Sequence, residues 1–239
     1  MSRDYSYLKN TIIDWNITLD DNQINQLDLF YEMFVEKNKV MNLTAITEFD
    51  EVIVKHFADS LSIGKVMPSN INTVCDLGTG AGFPGIPMAI AYPNIQFTLI
   101  DSLNKRIKFL QEVVDALGIK NVTLIHARAE EAGRNKLYRE KFDLVVSRAV
   151  ANISTLSEYC LPLVKLNGYF ISFKSGDIKE EVSLSGNAIQ KLGGSMEEPI
   201  YFSLPDTDIS RSFIIIDKKK STPKAYPRKA GTPSKEPLK

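Results

Sequence analysis

Apolar residues recur at helical spacing three times before the first strand-like run of this 239-residue chain. Tyr5 to Asn16 is the first stretch, and Asn22 to Asn38 is the second, with Ile24, Leu27, Phe30, Tyr31 and Phe34 at core-facing positions. Asp20-Asp21-Asn22 between them offers an N-terminal cap, because a short side-chain oxygen can accept from the free N–H groups of a first turn. The third stretch, Glu48 to Met67, carries Val52, Ile53, His56, Phe57 and Leu61 and leads through Pro68-Ser69-Asn70 into a different pattern. From there short apolar runs alternate with helical ones. Strands are predicted at Thr73–Leu77, Gln96–Ile100, Val122–His126, Phe142–Ser147 and Gly168–Lys174, with helices at Gly85–Ala91, Asn104–Leu117 and Ile153–Val164. This alternation predicts an α/β fold with a mostly parallel, doubly wound sheet, since parallel neighbours must be joined by a crossover. Pro199–Leu204 and Ser212–Asp217 are close enough in sequence to pair antiparallel at one edge. The expected division is an N-terminal helical extension over 1–68, an α/β body over 69–217 and a basic, proline-rich tail over 218–239.

Open sheets of this kind take ligands at the carboxyl ends of their strands. The first such end is Asp76-Leu-Gly-Thr-Gly-Ala-Gly-Phe-Pro-Gly-Ile-Pro87, where Gly78, Gly80 and Gly82 let the backbone turn tightly and approach a ligand, and Asp76 supplies an acid. Phe83 stands where the dinucleotide fingerprint has its third glycine, which is needed there for close helix–strand packing. Phe83, Pro84 and Pro87 instead suggest a stiff apolar lip, suited to a flat or uncharged ligand such as S-adenosylmethionine. A glycine-rich turn is also the ordinary connection of an α/β sheet. Asp101 ends the second strand about 20 residues past the loop, the place from which a carboxylate accepts ribose hydroxyls; a solvated strand end would carry an acid as well. After the third strand, Ala129 and Glu130 are candidates for an adenine edge, although acids also suit a helix start. After the fourth, Arg148 could bind a carboxylate or a phosphate bidentately, or be a plain surface arginine.

Composition narrows the setting. No apolar run reaches the roughly 18 residues of a membrane span, and Met1-Ser-Arg-Asp-Tyr-Ser lacks a signal-peptide core, so a soluble cytoplasmic protein, acting as a monomer, is expected. Cys75 and Cys160 lie far apart in apolar segments, which suggests buried free thiols. His56 and His126 have no ligand-type spacing, so no metal site is expected. The net charge of zero conceals a segregation: from Asp217 onward there are eight Lys or Arg and two Asp or Glu (+6), leaving 21 basic and 27 acidic residues before it (−6). Interleaved with proline, glycine and Tyr226, those cations make a tail that should pack poorly and could track nucleic-acid phosphates, or merely solubilise the protein.

Four segments carry a closer likeness: the glycine loop Asp76–Pro87, His56-Phe-Ala-Asp-Ser-Leu61, Asp101-Ser-Leu-Asn-Lys-Arg-Ile-Lys-Phe-Leu110 and Ser147-Arg-Ala-Val-Ala151. Together they resemble the ribosomal RNA small subunit methyltransferase G family, also called glucose-inhibited division protein B. The resemblance runs from Asn42-Leu-Thr-Ala-Ile46 into the Pro-Arg-Lys-Ala-Gly-Thr-Pro tail, with no departure inside these motifs. It implies a class I S-adenosylmethionine-dependent methyltransferase, a Rossmann-like sheet with an N-terminal helical extension, and methylation at N7 of one guanine in 16S ribosomal RNA, as naked RNA or within the small ribosomal subunit or its precursor. By the same resemblance the cofactor contacts fall on Gly78, Phe83, Ala129, Glu130 and Arg148, with Asp101 at the ribose-side position and Asp76 and Gly80 completing the loop.

Guanine N7 exposes a lone pair, so such a transfer needs no general base. Methyltransferases acting on exocyclic amines often carry an (Asn/Asp)-Pro-Pro-aromatic segment at the fourth strand, where this chain reads Ser147-Arg-Ala-Val. Catalysis would then rest on proximity and alignment, with Asp59, Ser60, Ser147 and Arg148 as target-side candidates that position rather than take protons. His56 and Asp59, three residues apart, could equally form a structural hydrogen bond. The rival classes are a small-molecule or protein methyltransferase, a nicotinamide oxidoreductase and an RNA-binding protein with a vestigial loop.

Overall fold

The computed structural model describes residues 3–148 and 151–239; Met1 and Ser2, and Ala149 and Val150 of the Ser147–Ala151 motif, lie outside the described residues. The N-terminal part holds α1 (Ser6–Ile13), α2 (Asp21–Met41), α3 (Phe49–Val52), a π-helical turn at Ile53–Ala58, α4 (Asp59–Leu61) and a 3₁₀ turn at Ser62–Lys65. The body continues with β1 (Thr73–Leu77), α5 (Gly85–Ala91), β2 (Gln96–Asp101), α6 (Asn104–Leu117), β3 (Val122–His126), α7 (Ala129–Arg134), β4 (Phe142–Arg148), α8 (Ile153–Cys160) and β5 (Val164–Ser175). The chain then forms α9 (Lys179–Lys191), β6 (Gly194–Met196), β7 (Ile200–Ser203), β8 (Ser210–Lys218) and α10 (Thr232–Lys235).

The sheet runs β3-β2-β1-β4-β5-β8-β6, with β7 also on β8. Its first five strands are parallel, and β8 joins β5 antiparallel. The chain winds outward through β2 and β3, then crosses back to place β4 beside β1. Strand order reverses between β1 and β4, which opens a crevice above their carboxyl ends. The expected β7–β8 antiparallel pair is present at the edge. The predicted helix Ile153–Val164 stops at Cys160, because Pro162 lacks the N–H and crowds the preceding turn. The predicted single helix Glu48–Met67 is broken by the π turn that carries His56.

Asp20 caps α2 as expected, through a reciprocal pair in which Gln23 N–H donates to Asp20 Oδ1 (2.8 Å) and Asp20 N–H to Gln23 Oε1 (2.9 Å). That start sets the phase at which Leu27, Phe30 and Phe34 are buried. Phe30 and Phe34 pack with Phe57 of the π turn on Phe83 of the glycine loop, at centroid separations of 5.1–6.3 Å. One continuous apolar core joins these rings to Leu99, Leu110 and Val113 of the body.

The C-terminal segment corrects an expectation. It does not pack poorly: Lys218 is fully buried and donates to Leu161 O and Thr222 Oγ1, and Arg139 donates to the carbonyls of Thr222 (2.7 Å) and Tyr226 (2.9 Å). Composition misleads here because many of the segment's holds are its backbone carbonyls, which no residue type announces, alongside buried Pro227 and Pro233 and Tyr226 packed on the core. Cys75 and Cys160 are buried free thiols.

Candidate active site

The crevice between β1 and β4 is a cavity of about 570 Å³ walled by the glycine loop, the tips of β2, β3 and β4, and parts of both chain ends. Gly78, Gly80 and Gly82 all have positive φ (76°, 62° and 99°). At Gly82 a Cβ would also lie 2.8 Å from Ile86 and 2.9 Å from Leu110, so close packing fixes this glycine as well as conformation.

Two acids shape the loop. Asp101 Oδ2 accepts from Gly80 N–H (2.9 Å) and Arg106 Nη1 (3.2 Å), and its Oδ1 accepts from Leu103 N–H (2.8 Å). It lines the cavity, but most of its acceptor capacity holds the loop and the turn into α6. Asp76 sits beneath the loop and does not line the cavity. Its Oδ2 accepts from Gly85 N–H (3.0 Å), and a Cβ at Gly85 would lie 2.7 Å from that oxygen, so the glycine lets the carboxylate tuck under α5. Burial pushes the Asp76 carboxyl up to about 6. Asp76 Oδ1 and Thr79 Oγ1 are buried without a hydrogen-bond partner among the described residues. Thr79 lies on the cavity wall.

At the other end stands an ion cluster. Asp59, 3% exposed, receives Arg148 Nη1 on Oδ2 and Arg211 Nε on Oδ1, both at 2.9 Å. Arg148 also donates to Lys55 O (3.3 Å) in the π turn and points Nη2 at His56 Nδ1 (3.4 Å). The π turn thus presents a carbonyl, an imidazole and, just beyond, a carboxylate to one guanidinium. Burial, reinforced by the charge of Arg148, pushes His56 down to about 3. His56 is therefore neutral at physiological pH. With Nδ1 facing a donor, its proton belongs on Nε2, 3.4 Å from Thr44 Oγ1. The imidazole stacks on Phe83 (4.6 Å, 18°), and the guanidinium of Arg148 lies 5.4 Å from the same ring.

A second cavity, about 440 Å³, adjoins the first and is lined by Lys55, Asp59, Phe173, Lys174 and Arg211 among others. His56 and Arg148 line both cavities.

Of the residues expected at the site, Gly78, Gly80, Phe83, Asp101, Ala129, Glu130, Ser147 and Arg148 line the first cavity. Phe83 also belongs to the aromatic core, so it is a wall shared with the N-terminal helices rather than a free lip. Ser147 Oγ donates to Leu77 O (2.8 Å), tying β4 to β1. His56 and Asp59 do not bond each other; Arg148 bridges them. Ser60 is buried with its hydroxyl unpartnered among the described residues. Arg211, Lys174, Gly231 and Ser234 were missed. Arg211 is 152 positions from Asp59, and only the antiparallel return of β8 brings it in.

A family model described as rRNA small subunit methyltransferase G matches residues 23–204. A protein named ribosomal RNA small subunit methyltransferase G from Lachnoclostridium phytofermentans is 52% identical over 237 residues, covering 99% of this chain and 98% of the relative. Among solved structures, a putative sarcosine dimethylglycine methyltransferase from Galdieria sulphuraria superposes with a TM-score of 0.55 at 10% identity, covering 73% of this chain and 89% of that one. M. jannaschii TYW2, solved in complex with AdoMet, gives 0.50 at 16% identity, with 66% and 74% covered. At such identities the structures speak for the fold alone.

Proposed function

Since the chain belongs to the rRNA small subunit methyltransferase G family, we propose that it moves a methyl group from S-adenosylmethionine, held in the 570 Å³ cavity, to N7 of one guanine in 16S ribosomal RNA. The observation that carries this reading is the pair of adjoining cavities that share His56 and Arg148 as a common wall.

The donor suits the residues present. Thr79 lines the cavity, and the backbone at Gly78 and Gly80, both at positive φ, bears no Cβ to fill the approach. Arg148 uses three of its five N–H groups on Asp59, Lys55 and His56, and Nε–H and one Nη2–H have no partner among the described residues. Those two remain for a carboxylate. Gly78, Phe83, Ala129, Glu130 and Arg148 are our cofactor contacts, with Asp101 and Gly80 shaping the loop and Asp76 supporting it from below. Bound S-adenosylmethionine supplies an electrophilic methyl group on a sulfonium.

The chain's own residues then orient and shield. Asp59 pins Arg148 and Arg211 together, Ser147 holds the β1 and β4 tips at fixed spacing, and the rings around Phe83 exclude water. His56, held down to about 3 by burial, is not an imidazolium at physiological pH and so offers no acid to tie up the N7 lone pair. Lys55, Arg148, Lys174 and Arg211 outnumber Asp59 and Glu181 on the second cavity's lining, although Lys55, Lys174 and Arg211 are each paired with a carboxylate (Glu51, Glu181 and Asp59), and this net positive surplus suits the phosphates that flank a nucleotide. Side chains cannot reach N7 in the deep major groove of A-form RNA, so the guanine must arrive from a loop or distorted site. Among the described residues no helix is long and apolar enough to cross a membrane. Our reading is of a cytoplasmic monomer acting on small-subunit RNA or its precursor particle.

Calorimetric titration with S-adenosylmethionine and with NAD tests the cavity's assignment. Saturable binding of the first and none of the second is expected; the reverse would overturn it.

A further inference from the structure

The cavity has a wall that neither the glycine loop nor the strand tips supply. Gly231 and Ser234, from the C-terminal segment, line it together with Ala129, Glu130 and Tyr159. We propose that residues 226–234 are a built part of the donor site, closing over its nucleoside end, and that donor binding and docking of this segment stabilise each other. This rests on the reading that the cavity holds S-adenosylmethionine.

The placement follows from one hydrogen bond. Gly231 N–H donates to Glu130 Oε1 at 2.8 Å, and Glu130 follows β3, where the adenine edge is expected. Arg148 and its ion cluster stand at the end of β4, separated from β3 in the sheet by β2 and β1. The segment therefore meets the base end of a nucleoside ligand, with the uncharged surface of a glycine and a serine.

The docking is specific in construction. Arg228 donates from Nε and Nη2 to the carboxylate of Glu158 (2.9 Å to Oε1, 2.7 Å to Oε2), and its own backbone N–H adds a third contact at 2.7 Å. Glu158 is fully buried in α8, so among the described residues only this segment's guanidinium and amide satisfy a charge that would otherwise be stranded. Thr155 Oγ1 donates to Pro233 O (3.1 Å), and Arg134 Nε donates to Pro227 O (2.8 Å). Gly133 makes room for this: a Cβ there would lie 3.0 Å from Pro227 Cγ. All of these partners sit on α7 and α8, outside the cavity, so the segment is positioned independently of any ligand.

The same chemistry makes the wall responsive. Its anchors combine these polar links with buried Pro227 and Pro233 and with Tyr226 packed on the core, and the docked and open forms differ by the free energy of all of them. A ligand that touches Gly231 or Ser234 binds the docked form better than the open one, and by linkage it must favour docking to the same degree. A segment read from composition as a phosphate-tracking tail then acts first on the small-molecule side of the reaction.

Donor affinity by calorimetry and amide exchange at Gly231 test this on the intact chain, a chain ending at Lys229, and Thr155→Val with Thr155→Ser as its rescue. The shortened chain should bind S-adenosylmethionine about tenfold or more weakly, and Thr155→Val should weaken it less, with Thr155→Ser restoring affinity. In the intact chain the donor should slow exchange at Gly231. Wild-type affinity in the shortened chain, or exchange at Gly231 unmoved by saturating donor, would overturn the wall alone. No saturable binding to the intact chain would overturn the donor reading and the wall with it.

Discussion

The N-terminal helices reach the first cavity through rings, and the C-terminal segment reaches its far side largely through carbonyls. On one side Phe30, Phe34 and Phe57 press on Phe83, and the apolar core runs without interruption from α2 into the sheet. On the other, Arg134, Arg139 and Lys218 capture backbone oxygens, and one buried carboxylate, Glu158, receives Arg228. Both arrangements support the same crevice, but they differ in how they fail. Apolar burial is lost by making a hole, whereas the polar clasp is lost by changing charge or removing an acceptor.

The largest expected effect comes from the ring side. Phe30→Ala removes a fully buried ring that touches three others and should cost about 3–5 kcal/mol, read as a lower urea midpoint at unchanged slope. A loss under about 1 kcal/mol would mean that the N-terminal helices do not brace the glycine loop.

Smaller effects should separate the two sides by pH. Burial lowers Lys218 to about 8, while the unfolded side chain titrates near 10.4. Between these values the unfolded chain binds more protons, so stability should rise with pH from about 8 to about 10.4, and the penalty of burying the charge is full below that window. Lys218→Met should abolish this rise. Burial likewise lowers His56 to about 3, so its neutral ring contributes fully above about 6.5 and progressively less as pH falls toward 3. Asp76, raised to about 6 by burial, acts oppositely between its unfolded value of 3.8 and that point. The His56 share is therefore read as wild type minus His56→Phe across pH 3–6.5. An alkaline rise that survives Lys218→Met, or an acid loss unchanged by His56→Phe, would dissolve the contrast.

The contrast also explains what was legible in the chain. Leu27, Phe30 and Phe34 announce their helix by spacing, and the strand β1 and its glycines announce the crevice, because apolar burial and positive φ each demand particular residue types at particular intervals. Backbone acceptors demand nothing of the residue that carries them. The carbonyls of Thr222, Tyr226 and Pro227 are therefore silent, and their donors Arg134 and Arg139 lie more than 80 positions away. Arg211 was hidden for the same reason of distance, although its partner Asp59 was singled out. Asp101 was placed correctly at a strand tip, yet geometry engages it with Gly80, Leu103 and Arg106. An acid at such a tip looks alike in sequence whether it serves the ligand or the loop.

We propose a base-free methyl transfer to guanine N7 across the wall shared by the two cavities. It is tested most directly by incubating the protein with methyl-labelled S-adenosylmethionine and either small ribosomal subunits or bare 16S RNA, then mapping the labelled nucleotide and the labelled atom. Label on N7 of a single guanine is the predicted result. Label on an exocyclic amine, on ribose or on protein, or none in ribosomal RNA, would contradict it.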